Sequence, residues 1–122
     1  MGRNCGWLTA YIAFLYNKSL NNKIFLPELN LSKEKWDIHA VYIPELEFNL
    51  NKESERLSLI MDKHDCVNIF LSEGAGLDVI VEEMKNNNES IKYDAFGHVR
   101  LDEINPGIWF GKYFKKSLNA DK

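Results

Sequence analysis

Sulfur, proline, long apolar runs and excess charge are all scarce in this chain, and each shortage removes a class of function. The two cysteines, Cys5 and Cys66, stand far apart and form no Cys-x-x-Cys pair or other zinc-like spacing, so both are expected to be plain buried thiols. The three histidines, His39, His64 and His98, share no metal-like spacing either. His39 and His64 fall at a strand start and on a helix face, where structural residues belong, and His98 follows Gly97 in irregular backbone, where a packed or hydrogen-bonded role is favoured over a chemical one. The longest apolar runs, such as Cys66 to Leu71, fall far short of the roughly 20 residues a membrane-spanning helix needs. The N-terminus has no apolar segment with a small-residue exit, so a cytoplasmic protein without membrane association is expected. Fifteen Lys and Arg against 18 Asp and Glu leave a net charge of −3. The lysines are scattered, with no basic stripe to displace counterions from a nucleic acid, so nucleic acid is not an expected partner.

What remains is an ordinary globular composition, 45% hydrophobic and 27% charged over 122 residues. That length makes one small domain, able to bury roughly two thirds of its unfolded surface. Repeats, linkers and low-complexity tracts are missing.

Apolar residues Leu8, Tyr11, Ile12 and Leu15 recur at helical spacing over Gly6 to Tyr16, and the polar residues from Asn17 onward predict the end of this first helix. Ile24 to Lys35, with Pro27, reads as a connection holding one short helical turn. His39 to Ile43 is β-prone and is stopped by Pro44-Glu45. Asn49 or Asn51 then caps an amphipathic helix carrying Leu57, Ile60, Met61 and His64 on one face. Glu53 and Glu55 suit the positive end of that helix. A second β-prone run, Cys66 to Leu71, passes into Ser72-Glu73-Gly74-Ala75-Gly76 and then into a helix with Leu77, Ile80, Val81 and Met84 on one face. Ile91 to Val99 is an extended segment interrupted by Gly97. Asn105-Pro106 caps a last helix over Gly107 to Leu118, with Trp109, Tyr113 and Phe114 near one face.

Helices alternating with short apolar strands predict an α/β fold, a parallel sheet with flanking helices, because parallel strands need a helical crossover. Ligands of such sheets sit beyond the carboxyl ends of the strands, which singles out Pro44-Glu45 and Ser72 to Gly76. Glu73 could accept hydrogen bonds from sugar hydroxyls there. Equally, the segment could be a tight strand-to-helix turn in which Glu73 offsets the helix dipole. It is neither a Walker loop nor a Gly-x-Gly-x-x-Gly turn. Met1-Gly2-Arg3 places a guanidinium fork suited to bidentate phosphate recognition ahead of a helix, although three residues at a terminus also read as a frayed start.

Taken in order, Met1-Gly2-Arg3-x-x-Gly6-Trp7-Leu8-Thr9, His39 to Glu45, Asn68 to Gly76 and Asp94-Ala95-Phe96-Gly97-His98-Val99 resemble the phosphofructokinase family through almost the whole chain. The resemblance implies that residues 1–122 are a partial phosphofructokinase domain, the fructose 6-phosphate-binding portion. Met1, Gly2 and Arg3 match the family's Met-Gly-Arg segment, which contacts that sugar phosphate, and Glu73 matches the glutamate that binds the sugar. Gly6 and the helix after it would position the Met-Gly-Arg segment, and Gly74 would let Glu73 reach inward.

The run Arg100 to Gly107, together with Trp7 and Ser72 to Gly76, resembles the pyrophosphate-using branch rather than the ATP-dependent members, which read Gly-His-Ile-Gln-Arg-Gly-Gly at that point. Arg100 is accordingly given no sugar-contacting role. By resemblance the reaction moves a phosphoryl group from pyrophosphate to the C1 hydroxyl of fructose 6-phosphate with Mg2+, in a homo-oligomer. The family's Gly-Gly-Asp-Asp donor site, Pro-Lys-Thr lysine and Thr-Ile-Asp catalytic base do not occur in this sequence, nor does the later Tyr-x-x-Arg contact. The chain alone is therefore expected to be inactive, with no catalytic residue and no magnesium ligand of its own. The alternatives are a fragment of an ATP-dependent enzyme and a non-catalytic protein, either a sugar-phosphate-binding module or a remnant.

Overall fold

A computed structural model describes residues 5–97, 99–100 and 103–118. Helix α1 (Trp7–Asn21) is followed by a 3-10 turn at Pro27–Leu29 and a single helical turn α2 (Lys33–Trp36). Strand β1 (Ala40–Tyr42), helix α3 (Leu50–His64), strand β2 (Ile69–Leu71), helix α4 (Leu77–Asn86) and helix α5 (Pro106–Ser117) complete the order.

β1 and β2 pair in parallel, with Ala40 opposite Ile69 and Tyr42 opposite Leu71, so α3 is the crossover that parallel pairing requires. Alternation along each strand sends side chains to two faces. Ala40, Tyr42, Ile69 and Leu71 face a core built with Leu50, Leu57, Ile80, Phe110 and Phe114 from α3, α4 and α5. On the other face Phe70 meets Tyr16 of α1, ring centroids 5.5 Å apart. Helices thus cover both sides of a small parallel sheet, the arrangement such sheets adopt.

Tyr42 is the hub of the core. Its ring stacks on Phe48 at 4.4 Å and lies 6.2 Å from Phe110 and 6.3 Å from Phe114, which fastens α5 to β1. Asn49 caps α3 by accepting from the Lys52 amide at 3.1 Å, and Asn105 caps α5 by accepting from the Ile108 amide at 3.1 Å.

Four local expectations need correction. Helix α1 does not stop at Asn17 but runs to Asn21. The polar residues there carry only small helix penalties, while Leu20 is buried and Tyr16 donates its hydroxyl to the Trp36 carbonyl at 2.7 Å. The connection after it holds two helical turns rather than one, with Leu26 and Leu31 bridging across the first. Ile91 to Val99 makes no strand among the described residues, only an isolated antiparallel bridge between Tyr93 and Val99. Cys5 and Cys66 are half-buried rather than buried, and the Cys66 thiol donates to the Lys35 carbonyl at 3.2 Å.

The periodic apolar face of α1 behaves differently from those of α3 and α4. Only Ala13 and Leu20 of that helix are buried, while Trp7 and Phe14 are more than 60% exposed. Its outer face is an aromatic ladder, with Trp7 stacked on Tyr11 at 5.2 Å.

Candidate functional site

The carboxyl ends of β1 and β2 lie side by side. Beyond Tyr42 the chain turns at Pro44-Glu45, closed by the Leu46 amide donating to the Ile43 carbonyl at 3.2 Å. Beyond Leu71, the Ser72 amide extends the ladder by donating to the Tyr42 carbonyl at 2.9 Å, and the Ala75 amide then donates back to the Ser72 carbonyl at 3.0 Å. Ser72, Gly74 and Ala75 are buried while Glu73 is exposed, so the turn projects its one carboxylate outward from the sheet's end.

The left-handed backbone of this turn falls at Gly76, with φ 64°, and not at Gly74. A Cβ at Gly76 would lie 2.8 Å from both the Phe48 and the Phe110 ring tips. Glycine is therefore required twice over, for its backbone conformation and for the close packing of α4's start against the aromatic core.

The start of α1 reaches the same edge. Gly6, its buried N-cap residue, donates its amide to both carboxylate oxygens of Glu45, at 2.9 and 3.1 Å. A Cβ on Gly6 would run into the Ile43 Cβ and would stand 2.6 Å from the Ile43 Cγ2. Helix start, β1 turn and β2 turn are thus fastened together. Met1, Gly2 and Arg3 lie outside the described residues, three to five positions before Gly6. Of the sequence-derived candidates, the structure places Glu73 at the strand-end edge and brings Gly6 there as well.

Two features of this edge were not identified from the sequence. Glu45 was noticed only for its place after a strand; an acid in that position is the signal that could have marked it. The second is a partly exposed polar chain that links β1 to α3. The Tyr42 hydroxyl donates to Glu53 Oε2 at 2.6 Å, Arg56 grips Glu53 through Nε at 3.1 Å and Nη2 at 2.6 Å, and Arg56 Nη1 donates to the His39 carbonyl at 2.9 Å. The i,i+3 spacing of Glu53 and Arg56 was readable, but their tyrosine partner on another element was not.

The hydrogen bond from Arg56 holds the Glu53 carboxyl below the usual carboxylate range, against the opposing effect of burial. Burial, with the Glu53 carboxylate added, pushes the Tyr42 phenol well above its usual value. The two signs give opposite limbs. A depressed acid contributes stability present above its unfolded value, about pH 4.3, and lost as pH falls through the lowered one. A raised phenol contributes stability present below about pH 10 and lost as pH rises beyond it. Thermal midpoints across pH are expected to be flat near neutrality and to fall on both sides, and Tyr42→Phe is expected to flatten the alkaline limb and only to weaken the acid one, which Arg56 still supports. An unchanged alkaline limb in that variant would remove the phenol from this account.

His39 is a structural link. The Asn68 amide donates to its Nδ1 at 2.9 Å, so Nε2 carries the proton and donates to the Glu34 carbonyl at 3.0 Å. An apolar cavity of about 410 Å3 lies between β2 and α5, lined by Ile69, Leu71, Phe110 and Phe114 among others, with no carboxylate in its lining among the described residues. Among the described residues no three His, Cys, Asp or Glu side chains converge. Nor is any described helix long and apolar enough to cross a membrane.

The carboxyl ends of adjacent strands, where this chain gathers a helix start and an outward carboxylate, are where α/β proteins commonly bind their ligands. No family model matches the chain, and no solved structure matches it. Curated proteins do. The chain is 52% identical over all 122 residues to a pyrophosphate–fructose 6-phosphate 1-phosphotransferase of Methylomonas methanica. It is likewise 52% identical to a protein of that name from Mastigamoeba balamuthi and 48% identical to one from Propionibacterium freudenreichii subsp. shermanii. The chain spans 30% of the length of the curated relatives it matches.

Proposed function

We propose that these residues form the fructose 6-phosphate-binding part of a pyrophosphate-dependent phosphofructokinase. The observation that carries this reading is the identity of about half the residues along the whole chain with enzymes bearing that name. The clustering of Gly6, Glu45 and Glu73 at one sheet edge supports it.

In the proposed site the Arg3 guanidinium forks onto the phosphate of the sugar, with two parallel N–H donors matching two phosphate oxygens. Glu73 accepts hydrogen bonds from the sugar hydroxyls. The C1 hydroxyl oxygen attacks the terminal phosphorus of pyrophosphate, the bridging P–O bond breaks, and inorganic phosphate leaves. The hydroxyl proton goes to a base that is not among these residues. Catalysis of such a transfer rests on positioning and charge stabilisation, so acceptor residues contribute by fixing the C1 oxygen in line. Magnesium, which the resemblance implies, would be held by residues other than the described ones. A homo-oligomer and a cytoplasmic location are part of the same proposal.

The test is an assay of a protein containing these residues within a chain of its relatives' length, with fructose 6-phosphate and either pyrophosphate or ATP. Pyrophosphate-dependent formation of fructose 1,6-bisphosphate is expected. Turnover with ATP alone would overturn the donor, and no turnover with either would overturn the enzyme reading. The 122 residues by themselves are expected to show no turnover.

A further inference from the structure

We propose that the outward face of α1 is one wall of a second apolar core, covered in the longer protein by a part of the same polypeptide outside residues 1–122.

A surface helix ordinarily turns its apolar stripe to the core and its charges to water. Helix α3 does so, since Leu57 has no exposed surface while Lys52, Glu55, Asp62 and Lys63 are exposed. Helix α1 has the reverse arrangement. The side that meets the sheet carries Ala13, Tyr16 and Leu20. On the side turned away from it, Trp7, Tyr11 and Phe14 follow one another at i, i+4, i+7, and Leu8, Ile12 and Leu15 form a neighbouring stripe at the same spacing, each of the six between 44% and 63% exposed. The rings of Trp7, Tyr11 and Phe14 stack in sequence at 5.2 and 6.3 Å, which makes the first stripe a continuous aromatic surface. Ser19, one turn beyond Leu15, leads into an apolar hollow of about 400 Å3 between α1 and the connection after it, bounded by Tyr16, Leu20, Leu31 and Trp36. An apolar surface of this extent marks a contact.

Its composition says what kind of contact. Lys18 is the one charged residue in α1, which has no acid at all. Interfaces that form and dissolve are about as polar as the surface around them, whereas permanent ones resemble a core cut in half. The face of α1 is of the second kind. The chain spans 30% of the length of its curated relatives, so more than two thirds of such a polypeptide is there to supply a permanent cover. A second copy of the same face is the poorer match, because a two-fold pairing sets each surface against itself and would bring no acid from either α1 to either Lys18. A different stretch of chain can carry one. Helix α1 then lies between two apolar layers, with the sheet on one side and the cover on the other.

The experiment uses a protein of the relatives' length with p-benzoyl-phenylalanine in place of Phe14. Illumination is expected to bond the probe to a peptide outside residues 1–122, identified by mass spectrometry, in a product that keeps the mass of a single chain in denaturing electrophoresis. A product of twice that mass would assign the face to a second copy and overturn the proposal. A probe that bonds only within residues 1–122, or to nothing, would overturn it as well, because the face would then be uncovered. Trp7, at the other end of the ladder, takes the probe should the Phe14 variant fail to fold, and the same outcomes apply. None of these readouts requires turnover, so failure of the activity assay and failure of this inference are told apart.

Discussion

Leu57→Ala is expected to cost about 3–4 kcal/mol of folding stability, a large share of the roughly 6–18 kcal/mol that a domain of this size has at its disposal. Leu57 has no exposed surface and lies in the cluster that holds Ala40 and Tyr42 of β1, Ile80 of α4 and Phe110 and Phe114 of α5. Every element behind the sheet meets it, so the hole left by three missing carbons cannot close by the shift of a single neighbour. Urea denaturation of the purified chain should show a lower midpoint with an unchanged slope. Leu57→Met, nearly equal in volume, should lose less than about 1.5 kcal/mol. A midpoint that barely moves for the alanine variant would mean that α3 is not seated as described.

The largest functional effect is expected at Arg3. In the longer protein, Arg3→Ala should lower kcat/KM for fructose 6-phosphate by about 100- to 1000-fold, since a desolvated phosphate left without its cation costs several kcal/mol. The loss should fall mainly on KM for the sugar phosphate. Arg3→Lys should recover only part of it, because an ammonium supplies the charge without the planar fork that meets two phosphate oxygens together. Steady-state kinetics with both substrates varied would read this directly. A loss smaller than about threefold would take Arg3 out of the site.

Much of the fold could be read from the sequence because its signals are local. Asn49 and Asn105 announced the helices they cap, and the β-prone runs around Val41 and Phe70 sit where the strands are. What escaped depends on contacts between distant segments. The polar residues after Tyr16 looked like a break, yet a buried Leu20 and a tyrosine bond to Trp36 carry the helix past them. Trp109, Tyr113 and Phe114 of α5 were expected near one face, and Trp109 and Tyr113 do pack against the core that buries Phe114, but Phe110, buried beside it, was not singled out. At the candidate site the acid after each strand was visible, whereas the bond from Glu45 to Gly6 links residues with no local relation. Arg3, by contrast, was singled out as a possible phosphate fork, became a ligand candidate only through resemblance, and lies outside the described residues.

The parallel pairing of β1 with β2 also decides when the ligand edge can exist. Antiparallel neighbours can zip outward from a tight turn, but these two strands meet only after the intervening α3 has condensed against them. Contacts so remote in sequence form late, once the entropy of closing the long loop has been met by burial. The turns that carry Glu45 and Glu73 are therefore brought to one edge only once this ladder has formed. A collapsed chain with its helices but not its ladder would lack the edge on which the proposed site depends.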